Sequence, residues 1–166
     1  MDVLSSLPTG LPVRPVKLSR RRLCLAAAGA ALLGPLPALA VNADRSAVVE
    51  MVDNAVIAID SYGFPHALNV VPTIWARSDG LYVFVLGQDG TLFLHPDKAM
   101  EGRNVNASRD TNGKPFIHDI IAATIAAPGG VWTDYVWPDP GTGKLVPKHT
   151  YSRLAAGFVV AAGYSA

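Results

Sequence analysis

Lys148 is the residue in this chain best equipped to hold an anion, because its ammonium combines three hydrogen-bond donors with a point charge and so suits a carboxylate. On a strand the same residue also reads as an ordinary solvent-exposed lysine. Tyr135 and Trp137 stand two apart and share one face of an extended segment. An apolar wall carrying a few placed O–H and N–H donors is how small-molecule sites are generally built, although core packing accounts for two aromatic rings equally well. His95 precedes Pro96 and either donates to a ligand or buttresses the loop that follows. Tyr151 lies three residues after Lys148, so regular alternation places it on the opposite face, and only a bulge would bring both to one site.

Other chemistries find no support. His66, His95, His118 and His149 never fall at the i, i+4 or His-x-His spacing that makes a metal site on one element, and no metal is expected. Gly141-Thr142-Gly143-Lys144-Leu145 has the glycine and lysine of a phosphate loop but lacks the hydroxyl residue after the lysine and the earlier glycine. Asp110-Thr111-Asn112-Gly113 begins like a calcium loop, yet the remaining acidic ligands are missing and a turn is the better reading. No Gly-x-Ser-x-Gly elbow is present. Cys24 is the only cysteine and lies in the N-terminal segment, so thiol chemistry and disulfides are not expected beyond it. These motifs hold no catalytic constellation, and neither an enzyme nor a cofactor is expected.

The elements that must position these residues follow from periodicity. From Asp44 to Ser61, Val48, Met51, Val52, Ala55, Val56 and Ile59 form one apolar stripe at helical spacing, and Gly63-Phe64-Pro65 ends it. A short helical turn can resume over 66–71. Leu81 to Leu86 and Thr91 to His95 form a hairpin across Gly87-Gln88-Asp89-Gly90. Residues 96–114 are polar and rich in turn formers, and Pro115 suits the first turn of a second helix whose wide apolar face includes Phe116, Ile117, Ile120, Ile121, Thr124 and Ile125. Val131 to Trp137, Leu145 to Ala156 and Phe158 to Tyr164 complete a three-strand meander, its last turn at Gly157. This order predicts an α+β fold: an antiparallel sheet of about five strands with a long N-terminal helix and a second helix packed on it.

Charge divides the chain. Of 14 basic and 13 acidic residues, residues 1–40 hold five basic ones (Arg14, Lys17, Arg20, Arg21, Arg22) and only Asp2 among the acids, which leaves the remainder acidic on balance. That remainder lacks the basic footprint of a nucleic-acid binder, and no nucleic-acid partner is expected. Arg20-Arg21-Arg22, the apolar run Leu23 to Leu33, and Ala38-Leu39-Ala40 follow the order of an export signal. The run is much shorter than the roughly 20 residues of a membrane span. Cleavage near Ala40 would release residues 41–166 into the periplasm or medium, and an uncleaved signal would instead remain as an anchor. Ser19-Arg20-Arg21-Arg22-Leu23 resembles a twin-arginine signal, with Cys24 departing from that pattern.

Taken in order, Gly80-Leu81-Tyr82-Val83-Phe84-Val85, Asp89-Gly90, His95-Pro96, Gly102-Arg103-Asn104, Asp110 to Lys114 with Phe116, Tyr135-Val136-Trp137-Pro138, Pro147-Lys148, Tyr151 and Gly163-Tyr164 resemble the single Cache family of the second type. The resemblance spans roughly residues 45–164. It implies a PAS-like sheet whose concave face, closed by helices and loops, holds a small ligand such as a short carboxylic acid. It supports Lys148, within Pro-Lys-x-x-Tyr, as a pocket residue and brings Tyr82 into the candidate set. Family members work in chemoreceptors and sensor kinases, so a membrane receptor or kinase is the implied partner, and the N-terminal helix is the implied output surface or homodimer contact. The family usually sits between two membrane helices. This sequence shows no second hydrophobic segment, so a free or singly anchored module that passes occupancy to a partner is expected. A ligand-free accessory protein of the cell envelope is the alternative, and it requires Lys148 and Tyr135 to point outward or be sealed off.

Overall fold

A computed structural model describes residues 45–139 and 142–166. The expected export signal over 1–40 lies outside the described residues. Helix α1 (Arg45–Tyr62) leads through a short α2 (Ala67–Val70) to β1 (Val83–Gly87) and β2 (Leu92–Leu94); α3 (Phe116–Ala126) then precedes β3 (Val131–Pro138), β4 (Leu145–Ala155) and β5 (Phe158–Ser165). The five strands form one antiparallel sheet in the order β2-β1-β5-β4-β3. The expected α+β architecture is the one observed.

Alternation along the central strands divides the core between the two faces of this sheet. Val83 and Val85 of β1, with Val160 and Ala162 of β5, meet the apolar stripe of α1. Phe84 and Leu86, with Val159 and Ala161, meet Phe116, Ile117, Ile120 and Ile121 of α3. Because both faces are covered, β1 is buried at every position and shows no polar alternation. A buried hydroxyl pair also ties α3 to β4: Thr124 Oγ1 lies 2.7 Å from Ser152 Oγ and donates to the Ile120 carbonyl at 2.6 Å.

The first hairpin is shorter than its sequence suggests. Leu81 and Tyr82 precede the ladder, Tyr82 bridging to Ala76, and the β1–β2 register shifts between Val85 and Leu86. Thr91 pairs instead with Asn104. Gly157 (φ 85°) and Ala156 (φ 46°) form the β4–β5 turn, the paired positive φ angles of a tight hairpin turn whose twist matches the strands.

The segment 96–114 is well tied down despite its polarity. Leu92 at the β2 edge accepts from Gly102 N at 2.7 Å and donates to Arg103 O at 2.9 Å. At the other edge of the sheet, Asp110 Oδ2 accepts from Val136 N of β3 at 3.1 Å, and Lys114 Nζ donates to Asp134 O at 2.5 Å. Asp110 Oδ1 accepts from Asn112 N and Lys114 N at 2.8 and 2.9 Å, so the Asp110–Gly113 stretch is the expected turn and Asp110 is its staple.

These N–H groups, that of Val136 foremost, stabilise the Asp110 carboxylate and hold its pKa below the ordinary 3.8. The folded state thus binds fewer protons than the unfolded chain in acid. The stabilisation is complete above the ordinary carboxyl pKa and disappears as pH falls through the lower folded value. Asp110→Ala is expected to lower the melting temperature at pH 7 and to flatten its decline below about pH 4. Melting curves between pH 3 and 7 check this, and parallel curves for the two proteins would remove the carboxylate from the account.

Candidate functional site

Tyr135 and Lys148 are brought together by register: they are directly opposed in the β3–β4 ladder, where cross-strand side chains on one face stand next to each other. Both point to the α3 side and are buried, at 7% and 6% exposure. Phe116 of α3 stacks on Tyr135 with ring centroids 4.4 Å apart and meets Trp137 edge-on at 5.4 Å. Lys148 Nζ donates to Tyr82 Oη at 3.3 Å and lies 5.0 Å from the Tyr82 ring centre. His95 sits edge-on to the same ring at 5.5 Å.

These six side chains line one cavity of about 70 Å³. Its polar lining is Lys148, Tyr82, Tyr135, His95, Ser108 and the Trp137 ring edge, and its apolar lining is Phe84, Leu92, Met100, Val105, Phe116 and Ile117. Tyr151 faces away, packing on Trp132 at 5.2 Å on the α1 side, as strand alternation predicts. A hollow of about 500 Å³ along α1 is larger, but it is an open depression whose charged lining residues Arg45, Glu50 and Asp53 are exposed or half-buried. The smaller, less open cavity is the better candidate because Lys148 and Tyr135 are buried in it and half-buried polar groups converge on them.

Their protonation states define what they can offer. Burial pushes the Tyr135 phenol far above its ordinary pKa, so it remains a neutral O–H. Thr150, two residues beyond Lys148 on the same face, donates its hydroxyl to Tyr135 Oη at 3.2 Å and leaves the phenolic proton for another acceptor. His95 Nδ1 accepts from Asp97 N at 3.1 Å, so in the neutral ring the proton sits on Nε2. Desolvation lowers the His95 pKa below its ordinary 6.5, the Lys148 charge adds to that, and the Asp97 and Glu101 charges oppose it. At neutral pH the cavity therefore presents one cation, two phenols and an imidazole N–H. No described lining residue is acidic. With one cation and no carboxylate, that set suits an anionic group better than an ammonium.

His95 lines the cavity and also buttresses the following turn, its own N–H donating to Glu101 Oε1 at 3.1 Å. Sequence reasoning missed Thr150, Met100, Val105, Ser108 and the α3 residues Phe116 and Ile117 as neighbours of the site. Of these, Thr150 alone carried a usable signal, its i+2 relation to Lys148.

Residues 48–163 match the family model of the single Cache domain 2. The chain belongs to this family. Among solved structures, this Cache domain is similar to one described as a Cache chemosensory domain recognising carboxylic acid, at 18% identity and TM-score 0.63, covering 72% of this chain and 91% of that one. The periplasmic sensor domain of a chemotaxis protein is 25% identical with TM-score 0.54, covering 72% and 88%. A methyl-accepting chemotaxis protein from Vibrio parahaemolyticus is 23% identical with TM-score 0.60, covering 72% and 86%. No curated protein matches the sequence. Among the described residues, no helix is long and apolar enough to cross a membrane.

Proposed function

We propose that this Cache domain is a non-catalytic sensor module that binds a short monocarboxylic acid between its sheet and α3. One observation carries the reading: Lys148 is buried against aromatic rings, faces the cavity, and has no carboxylate partner among the described residues. An ammonium removed from water is costly unless it is paired, and a ligand carboxylate supplies the missing partner. Tyr82, Tyr135 and His95 Nε2 add uncharged donors around it, while Phe84, Leu92 and Ile117 enclose a short alkyl tail. A cavity of about 70 Å³ favours a small guest. A second carboxylate would find no second permanent cation.

Export through the 1–40 segment, work in the periplasm or outside the cell, and transfer of occupancy to a membrane receptor or sensor kinase complete the proposal. The carboxylic-acid and chemotaxis descriptions of the similar structures support it. Helix α1, on the sheet face opposite the cavity, is the proposed contact for a partner or for a second copy. Output follows only as far as the acid favours one conformation over another.

The test is a thermal-shift screen of the mature domain against acetate, propionate, pyruvate and lactate, with a dicarboxylate and an amino acid as controls. Ligand at about 100 times Kd should add roughly 2.7 kcal/mol of stability. A flat response across the monocarboxylates would overturn the reading and favour the ligand-free accessory role.

A further inference from the structure

We propose that the turn from His95 to Glu101 gauges the chain length of the bound acid, with His95 at the carboxylate end and Met100 stopping the tail. The inference rests on the monocarboxylate reading of the same cavity and adds the residues that set which acid fits. Its starting point is the path of the chain. β2 runs from Leu92 towards His95, which sits beside Tyr82 and so at the Lys148 end. The chain then doubles back, and Gly102 and Arg103 hydrogen bond to Leu92 again. The turn therefore lies alongside β2, and Met100, whose carbonyl accepts from Arg103 N at 3.2 Å, is carried back towards Leu92.

The two ends of this turn are fixed to one another. Glu101 Oε1 accepts from His95 N at 3.1 Å and from Lys98 Nζ at 2.7 Å. Asp97 N donates to the His95 ring at 3.1 Å, while the Asp97 side chain caps the turn by accepting from Ala99 N at 3.0 Å. Met100 N closes the turn by donating to Asp97 O at 3.1 Å. A donor for the carboxylate and a thioether against the tail are thus held on one braced unit.

Met100 and Val105 differ from the rest of the apolar wall, being half-buried and carried by the 96–114 segment, and of the two Met100 has the longer, more adaptable side chain. Phe84, Leu92, Phe116 and Ile117 are all at or below 7% exposure and belong to the sheet or α3, whereas Met100 is half-buried and belongs to the turn. Fixed elements cannot yield to a longer chain in a densely packed core, and an unbranched thioether on a turn is the part of the wall that can. Glu101 is a positioning residue here: it touches the His95 backbone and Lys98, and acts on the ligand only by keeping His95 and Met100 at a set separation.

Calorimetric titration of the mature domain with straight-chain acids from acetate to hexanoate tests this. One methylene in a hydrophobic pocket changes affinity by about 10-fold or more. Met100→Ala should lower the ratio of the pentanoate Kd to the propionate Kd at least about 10-fold, and Met100→Phe should shift preference towards acetate. Glu101→Ala should weaken discrimination among the acids without moving the optimum to a longer chain. If wild type binds propionate and both Met100 variants leave the ratio within about two-fold, the gauge is wrong and the site reading stands. If wild type binds none of the acids, the site reading fails and takes the gauge with it.

Discussion

Lys148→Met is expected to raise the Kd for a short monocarboxylate by about 100-fold or more, corresponding to ~2.7 kcal/mol, while leaving the ligand-free domain as stable as wild type or more so. The two effects have one cause. Without ligand the Lys148 ammonium is buried, and among the described residues it is held by the Tyr82 hydroxyl and ring face. A methionine of similar shape removes a buried charge and keeps the packing, a change that is often neutral or stabilising. With ligand present the balance reverses, because the carboxylate now enters a cavity without a cation and becomes the unpaired charge. Truncating one side of a buried charged pair costs about 2–5 kcal/mol. Melting curves with and without saturating propionate separate the terms. A variant that loses stability without ligand and binds within a few-fold of wild type would mean that Lys148 serves the fold, not the acid.

The second large effect concerns a residue with no side chain. Gly163 of β5 pairs with Thr150 of β4, and a Cβ built on it would come within 2.8 Å of the His149 carbonyl oxygen and still closer to the Thr150 hydroxyl. The obstruction is steric, since Gly163 is not among the residues with positive φ. Gly163→Ala therefore must push β4 and β5 apart or force Thr150 off the rotamer from which it donates to Tyr135. Overpacking of this kind costs about 1–3 kcal/mol, which for a domain of this size lowers the melting temperature by roughly 5–10 °C. Binding of the acid should weaken as well, through Tyr135. Adding Thr150→Ala should recover part of the stability, a non-additivity expected only where two residues share one space. Strict additivity in the double variant would place the damage elsewhere in the ladder.

Much of the site could be read in advance because a strand has a period of two. Tyr135 with Trp137 on one face, and Lys148 opposed in direction to Tyr151, follow from alternation alone, and the structure keeps both relations. The burial of Lys148 was not legible in the same way. It depends on the Tyr135–Lys148 register and on α3 closing over that face, which no local pattern near Lys148 records. The apolar face of α3 was visible as a stripe, but a stripe does not say which side of which strand it covers. The turn after β2 was harder still. Its residues read only as polar turn formers, and it is the return of Gly102 and Arg103 to Leu92 that shows Met100 and Val105 carried back over the cavity. Chain segments whose partners lie far away in sequence are where local reasoning stops.

The segment 96–114 has a consequence for the behaviour of the domain in solution. An open antiparallel sheet ends in two strands with unpaired N–H and C=O groups, a template to which another chain can add. Here those ends are β2 and β3, and the one segment bonds to both: Gly102 and Arg103 occupy Leu92 of β2, and Asp110 and Lys114 occupy Val136 and Asp134 of β3. The cover of the cavity is at the same time a guard against edge-to-edge aggregation, and a substitution that loosens it endangers solubility together with recognition.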